Sequence, residues 1–142
     1  MKLLDTNLLL YAVNADAPLH QKAKSWLEGI LSDEEPIALS WIVMLAFLRL
    51  ATRPGLFRCP LRPEVAFECI TEWLAHPNVR VVNPGPGHIQ TLRLLLTPLG
   101  TAANLTSDAH LAALAIEHGA ELCSCDSDFS RFPGLNWRNP SA

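Results

Sequence analysis

Three aspartates in the last third of the chain have types and spacing that could hold a metal ion. Asp108 stands at the start of an apolar pattern with helical spacing, and Gly119 ends that pattern. The apolar run 121–125 predicts a buried strand, and Asp126 and Asp128 come directly after it. Ligands of α/β proteins bind at the carboxyl ends of parallel strands, so we expect Asp108 and Asp126 to lie close together.

A fourth aspartate ends the first predicted strand. Lys2-Leu3-Leu4 is a short, mainly apolar run, Asp5 follows it, and a helical pattern then runs from Asn7 to Val13. If this strand is parallel to 121–125, Asp5 faces the same crevice. Two carboxylates about 5 Å apart repel by roughly 3 kcal/mol at an effective dielectric near 20. Three or four carboxylates gathered together would therefore raise one another's pKa values or require a hard divalent cation.

Each acid also has a purely structural interpretation. Asp5 could cap the helix that follows it, and Asp108 could be an acid favoured by the helix dipole. Asp128 could bind metal or stabilise a turn, and the two interpretations are equally favoured. Asp126 has the strongest claim to a metal, because it directly follows the buried strand. Taken together, the acids favour a metal site over separate caps.

Two hydroxyl side chains stand beside these acids. Thr6 and Ser107 could donate hydrogen bonds that orient the carboxylates, or could act as helix caps. Surface or packing roles are predicted for all five histidines: His20, His76, His88, His110 and His118.

The remaining chain alternates short strands with helices, which predicts a mainly parallel sheet between helical layers in a single domain, 1–142. Further strands are predicted at 36–39, 78–82 and 135–137. Further helices are predicted at 20–31, 41–52, 64–75 and 88–96, with a loop at 97–104. Pro18 is expected in the first turn of the helix 20–31, and Ser40 is expected to cap the helix 41–52.

The helix 41–52 is apolar nearly all round, so it is either central or covered by a partner. Its charged residue Arg49, together with Arg53 just after it, has two equally favoured roles. The pair could favour the negative end of the helix dipole, or either residue could hold the phosphate of a bound ligand.

Composition restricts the class of protein. Hydrophobic residues make up 49% of the 142, which is enough for a folded core, and no apolar run is long enough to span a membrane. The net charge of −3 is unusual for a general nucleic-acid binder. The four cysteines contain no C-x-x-C pair and are predicted to be reduced core residues of a cytoplasmic protein without zinc.

Three segments, in this order, carry a resemblance to a known family: the strand ending in DTN, then SDAHLAALAIEHGAEL, then CDSDFSRFPGLNWRNP. Together they resemble a PIN-domain ribonuclease, most closely a VapC-type toxin of a toxin–antitoxin system. The resemblance implies a three-layer α/β/α sandwich and a metal-dependent endoribonuclease. Its ligands for Mg²⁺ or Mn²⁺ would be Asp5, Asp108, Asp126 and Asp128. It also implies an RNA substrate, an antitoxin that blocks the site, and a homodimer.

The sequence departs from the family pattern at one position. PIN domains usually carry an acid about six residues beyond the serine that starts the helix after the second strand. Here that residue is Ala46, so the resemblance implies a site with one carboxylate fewer.

Two other functions remain open from the sequence. Asp126-Ser-Asp128 after a strand is similar to the D-x-D of aspartyl-phosphate phosphatases, although that motif normally stands early in the chain. Ala46 is also compatible with a non-catalytic module that uses the crevice to bind a partner.

Overall fold

A computed structural model describes residues 1–142 and shows a central sheet of five short strands. The strands are β1 (Lys2–Leu4), β2 (Ile37–Leu39), β3 (Val79–Val81), β4 (Glu121–Cys123) and β5 (Trp137–Arg138). Their order across the sheet is β3-β2-β1-β4-β5, and every pair is parallel. The carboxyl ends of β1 and β4 therefore lie side by side at one edge.

Six helices cover the sheet. They are α1 (Thr6–Val13), α2 (His20–Leu31), α3 (Trp41–Thr52), α4 (Pro63–Ala75), α5 (His88–Leu96) and α6 (Thr106–Glu117). Helix α1 packs on α2 and α3, α3 packs on α4, and α5 packs on α6. Right-handed crossovers between parallel strands put α1–α4 on one face and α5–α6 on the other. The predicted three-layer α/β/α sandwich is confirmed, and its sheet is wholly parallel. No helix is long and apolar enough to cross a membrane.

Packing in the core holds the first turn of α6 beside the carboxyl ends of the strands. The central strands are mostly apolar, as expected for a sheet covered on both faces. β2 is buried throughout, and in β1 and β4 the charged first residue, Lys2 or Glu121, is followed by buried apolar residues. Helix α6 approaches the sheet closely, since small side chains line its buried surface: Ala109, Ala112, Ala113 and Ala115 are all fully buried. Asp108, in the first turn of this helix, is thereby held at the edge of the sheet.

Most element boundaries agree with the sequence prediction, and α2, α3 and α5 match it residue for residue. Pro18 is a correction: it lies in the turn before α2, because that helix begins only at His20. The predicted loop 97–104 contains two 3-10 turns, Thr97–Leu99 and Ala103–Leu105. The last strand begins at Trp137 rather than at residue 135.

Ser40 stands at the N-cap of α3, but its hydroxyl does not cap the helix. The hydroxyl is buried and has no hydrogen-bond partner in the chain. The backbone carbonyl of Ser40 instead accepts the first helical hydrogen bond, from the amide of Met44. The prediction that Ser40 is the N-cap residue of this helix is therefore confirmed, but the cap is formed without a side-chain hydrogen bond.

The four cysteines are all free, but they are not all in the core. Cys123 is buried, Cys69 and Cys125 are partly buried, and Cys59 is exposed. Cys59 lies in the irregular segment between α3 and α4, where no second layer covers it. The prediction of a core position is wrong for Cys59.

Candidate metal centre

Three carboxylates meet at the edge of the sheet. Asp108 lies in the first turn of α6, Asp126 follows β4, and Asp128 lies in the 3-10 turn Ser127–Arg131. One potential ligand atom from each residue lies within 4.8 Å of those of the other two. The fold thus brings Asp108 next to Asp126 and Asp128, although most of α6 and all of β4 separate them in the sequence.

Asp5 follows β1, next to β4, but it is not a member of this group of three. Its Oδ1 accepts a hydrogen bond of 2.7 Å from the backbone amide of Thr6, so Asp5 does cap α1. Its Oδ2 accepts a hydrogen bond of 2.6 Å from Ser124 Oγ. Burial raises the pKa of the Asp5 carboxyl, and the charge of Asp126 raises that pKa further, against the opposing hydrogen bonds. The cap and the electrostatic contact with the site therefore coexist.

Ser124 connects two of these acids, and the sequence did not identify it. Its fully buried hydroxyl donates to Asp5 and accepts a 3.0 Å hydrogen bond from the backbone amide of Asp126. Asn7 Nδ2 donates to the same hydroxyl over 3.1 Å. The available signal was a lone polar side chain inside the apolar run 121–125.

Asn7 ties the start of α1 to the chain after β4. Its Nδ2 lies 3.3 Å from Asp5 Oδ2, and its Oδ1 accepts a hydrogen bond of 3.3 Å from the amide of Cys125. The sequence indicated only that Asn7 begins a helical pattern. Its actual contacts fix Asp5 and the segment before Asp126 in one unit.

Removal of the Ser124 hydroxyl should loosen this unit. We expect Ser124→Ala to lower the free energy of unfolding by about 1–3 kcal/mol, because Asp5 and the Asp126 amide each lose a buried partner. Metal affinity should fall by roughly 10- to 100-fold, since the Asp126 carboxylate is no longer held in place. Urea unfolding and calorimetric Mn²⁺ titration measure the two effects. Unchanged affinity would show that Ser124 does not position the site.

The two hydroxyl residues singled out from the sequence have different surroundings. Thr6 contacts Asp5 through its backbone amide, and neither the Thr6 nor the Ser107 hydroxyl hydrogen-bonds to a carboxylate of the site. Asp126 is instead held by the Asp128 amide, which donates to Asp126 Oδ1 over 2.9 Å. Thr6 and Ser107 both line the cavity beside the acids.

The electrostatics of the site favour a cation. Burial raises the pKa of Asp108 to about 6, and the charges of Asp126, Asp5 and Asp128 add to the effect in that order. No lysine, arginine or histidine forms a salt bridge with Asp5, Asp108 or Asp126. Only Asp128 has a basic neighbour, Arg131 Nε at 3.7 Å, and both of these side chains are about half exposed. A set of carboxylate oxygens without compensating charge fits Mg²⁺ or Mn²⁺.

A cavity of about 360 Å³ opens beside the acids. Asp5 and Asp108 line one part of it, and Ala46 and Arg49 of α3 line another. Ala46 therefore faces the site at the position where the family pattern has an acid. Arg53 does not line this cavity.

The histidines lie outside the acidic group. His88 is buried between α5 and α6, where its Nδ1 lies 2.7 Å from Glu117 Oε1 and its Nε2 lies 2.8 Å from His110 Nδ1. Burial and the neighbouring His88 lower the pKa of His110, against the opposing charge of Glu117. These contacts join two helices of one layer.

Comparison with known proteins identifies the class. The PIN domain family profile matches residues 2–135. In solved structures, the chain resembles VapBC2 of Rickettsia felis bound to a promoter DNA fragment (TM-score 0.72, 20% identity, 97% of each chain covered). It also resembles VapC20 of Mycobacterium tuberculosis, described as a sarcin-ricin loop cleaving toxin (TM-score 0.67, 20% identity, 96% of this chain and 99% of that one). The fold and the family profile together define a PIN domain.

Proteins that are similar in sequence show to which group within the PIN-domain family the chain belongs. The chain is 49% identical to ribonuclease VapC37 of M. tuberculosis over 100% of its own length and 99% of that protein. It is 41% identical to ribonuclease VapC33 of the same species, with 96% and 95% covered. The chain therefore belongs to the PIN-domain family and, within it, to the VapC ribonucleases. This assignment favours the nuclease interpretation of Asp126-Ser-Asp128 over the phosphatase interpretation.

Proposed function

We propose that the chain is a divalent-metal-dependent endoribonuclease that acts on RNA in the cytoplasm. The observation that carries the proposal is the convergence of Asp108, Asp126 and Asp128, whose only basic partner is the half-exposed Arg131, in a chain of the VapC ribonuclease family. When bound, Mg²⁺ or Mn²⁺ would stabilise the charge that develops at the scissile phosphate and would activate the attacking water.

The residues of the chain have separable roles in this proposal. Asp108, Asp126 and Asp128 would hold the ion, and Asp5 would contribute its carboxylate from the neighbouring strand. Asp108 must lose its proton to bind the ion, and its pKa of about 6 means that it is largely ionised at neutral pH. Ser124 and Asn7 hold Asp5 and the Asp126 segment in place through their hydrogen bonds.

We also propose an antitoxin partner and a homodimer. A solved structure that shares the fold is described as a toxin–antitoxin complex from Klebsiella pneumoniae (TM-score 0.61, 20% identity, 99% of this chain and 98% of that one). A protein that occludes the cavity would prevent RNA from reaching Asp108 and Asp126. Several apolar side chains remain more than half exposed and are available for protein contacts, among them Ile89 and Leu94, each at 70%.

An RNA-cleavage assay with end mapping tests the proposed activity. Purified protein is incubated with a 5′-labelled RNA and with the DNA of the same sequence, in Mn²⁺. We expect internal cuts at a few positions in the RNA. Loss of nucleotides one by one from an end would contradict an endonuclease. The absence of any cleavage, in protein that binds Mn²⁺, would favour the non-catalytic binding module.

The absence of a carboxylate at position 46 affects how many metal ions the site can hold. We expect one ion to bind well and a second to bind weakly, because α3 offers a methyl group where the family pattern has a carboxylate. Ala46→Glu should tighten Mn²⁺ binding and lower the Mn²⁺ concentration needed for half-maximal cleavage. Without metal, the same variant should be less stable, because a further acid is added beside like charges.

Calorimetric Mn²⁺ titration of the wild type and Ala46→Glu measures affinity and stoichiometry together. Ala46→Gln is the matched control, since it adds similar bulk without the charge. Equal affinity and stoichiometry in the wild type and Ala46→Glu would show that position 46 does not complete the site.

A further inference from the structure

We propose that an exposed stripe on α3, formed by Trp41, Leu45 and Arg49, is a binding track for single-stranded RNA that continues the metal cavity. In this track Trp41 stacks on an unpaired base, and Arg49 holds a backbone phosphate. The inference rests on the proposed ribonuclease function and names the residues that hold its substrate.

The spacing of the three residues puts them on one side of the helix. Trp41, Leu45 and Arg49 are four residues apart, so their side chains project one above the other along α3. Trp41 is 55% exposed and Leu45 is 57% exposed. The opposite side of the helix, with Val43, is buried in the core, so the stripe is the side of α3 that faces away from the sheet.

The stripe is continuous with the acidic cavity. Leu45 and Arg49 line the cavity together with Asp5 and Asp108, and Trp41 is one turn beyond Leu45. Helix α3 begins directly after β2, which pairs with β1. Trp41 therefore lies at the same edge of the sheet as Asp5. A strand of RNA with its scissile phosphate at the acids would pass next to Trp41 or Arg49.

The chemistry of the stripe matches this ligand. Arg49 is the one basic residue in the cavity lining, and it has no salt bridge within the chain. An unpaired guanidinium is suited to bind phosphate. Exposed aromatic rings stack on splayed bases in proteins that recognise single-stranded RNA.

Steady-state cleavage of a short fluorogenic RNA in Mn²⁺ tests the track. We expect Trp41→Ala to raise KM about 10-fold, the effect of losing one stacked base, with kcat changed by less than about twofold. Trp41→Phe should recover most of the loss. Arg49→Gln should also raise KM. The slope of log KM against log salt concentration should fall by about one, because one phosphate contact is lost.

The chain offers matched controls that do not line the cavity. Phe67→Ala removes an equally exposed aromatic residue from α4, and Arg93→Gln removes an exposed arginine from α5. Neither should change KM. If wild type cleaves RNA and KM is the same in Trp41→Ala, Arg49→Gln and the controls, the track is wrong while the proposed ribonuclease function stands.

Tryptophan fluorescence separates the remaining outcomes. Trp41 is the only exposed tryptophan of the four, so a base stacked on it should quench the emission of the wild type and not that of Trp41→Phe. If the wild type cleaves no RNA, quenching by an RNA oligonucleotide still supports the track, and no quenching overturns it. If Trp41→Ala instead turns a dimer into a monomer in light scattering, or abolishes only antitoxin binding, the stripe is a protein contact and the proposal fails.

Discussion

RNA cleavage should fall by at least roughly 100-fold when Asp126 is replaced by asparagine, and the same loss is expected for Asp108→Asn and Asp5→Asn. Asparagine keeps the shape of the side chain but removes the charge that holds a divalent ion. Asp108 and Asp126 share the group whose potential ligand atoms lie within 4.8 Å of one another. Asp5 is adjacent to this group and raises the pKa of Asp108.

The comparison of these variants requires that they are folded. Asp33→Asn is the matched control, because Asp33 is an exposed aspartate before β2, at the opposite end of the strands from the site. Circular dichroism and urea unfolding establish that each variant keeps the native structure. Wild-type rates in all three site variants would rule out a metal site built on these carboxylates.

The second large expected effect is a gain in the free energy of unfolding when Mn²⁺ binds, and the size of this gain should depend on pH. Saturation with Mn²⁺ at 100 times its dissociation constant should stabilise the fold by about 2.7 kcal/mol, because the ion binds only the folded chain. The effect should be largest at about pH 7.5 and weak near pH 5. Asp108, with a pKa of about 6, is mostly protonated at the lower pH and must release its proton to bind metal.

The metal-free protein should show the opposite trend with pH. The pKa of Asp108 is raised on folding, so its contribution to stability is fully present below the ordinary aspartate pKa of about 3.9 and is lost as the pH rises through about 6. Asp108→Asn should therefore raise the melting temperature of the metal-free protein at neutral pH and remove the stabilisation by Mn²⁺. Calorimetric scans at both pH values measure this linkage. An equal Mn²⁺ shift at both, or none at neutral pH, would contradict it.

The sequence predicted the acids of this site because their positions follow from topology. Asp5 directly follows β1, Asp126 lies three residues beyond the end of β4, and Asp108 lies in the first turn of a helix with a clear apolar period. Parallel strands bring their carboxyl ends to one edge whatever the details of packing. These three positions therefore required only correct recognition of the elements.

The supporting contacts could not be predicted in the same way. Ser124 and Asn7 are 117 residues apart in the sequence, and their 3.1 Å hydrogen bond depends on the pairing of β1 with β4. Ser40 shows the converse, because its sequence position indicated a cap while packing buried its hydroxyl without a partner. Side-chain hydrogen bonds depend on tertiary distances that no local pattern contains.

The sequence likewise did not predict which side of α3 is exposed. Its apolar residues predicted either a central helix or one covered by a partner. In the structure Val43 and Phe47 face the core, while Trp41 and Leu45 face outward and are exposed. An all-round apolar helix has no polar face to fix its orientation. Only the packing of α3 against α1 and α4 decides which side is exposed.

The most direct test of the metal-dependent nuclease is the rate of cleavage of a defined RNA as Mn²⁺ is added to the metal-free protein. We expect no cleavage in EDTA, saturable activation by Mn²⁺, and no activation of Asp126→Asn over the same range. Cleavage by wild type that persists undiminished in EDTA, in protein verified to be free of metal, would contradict the account.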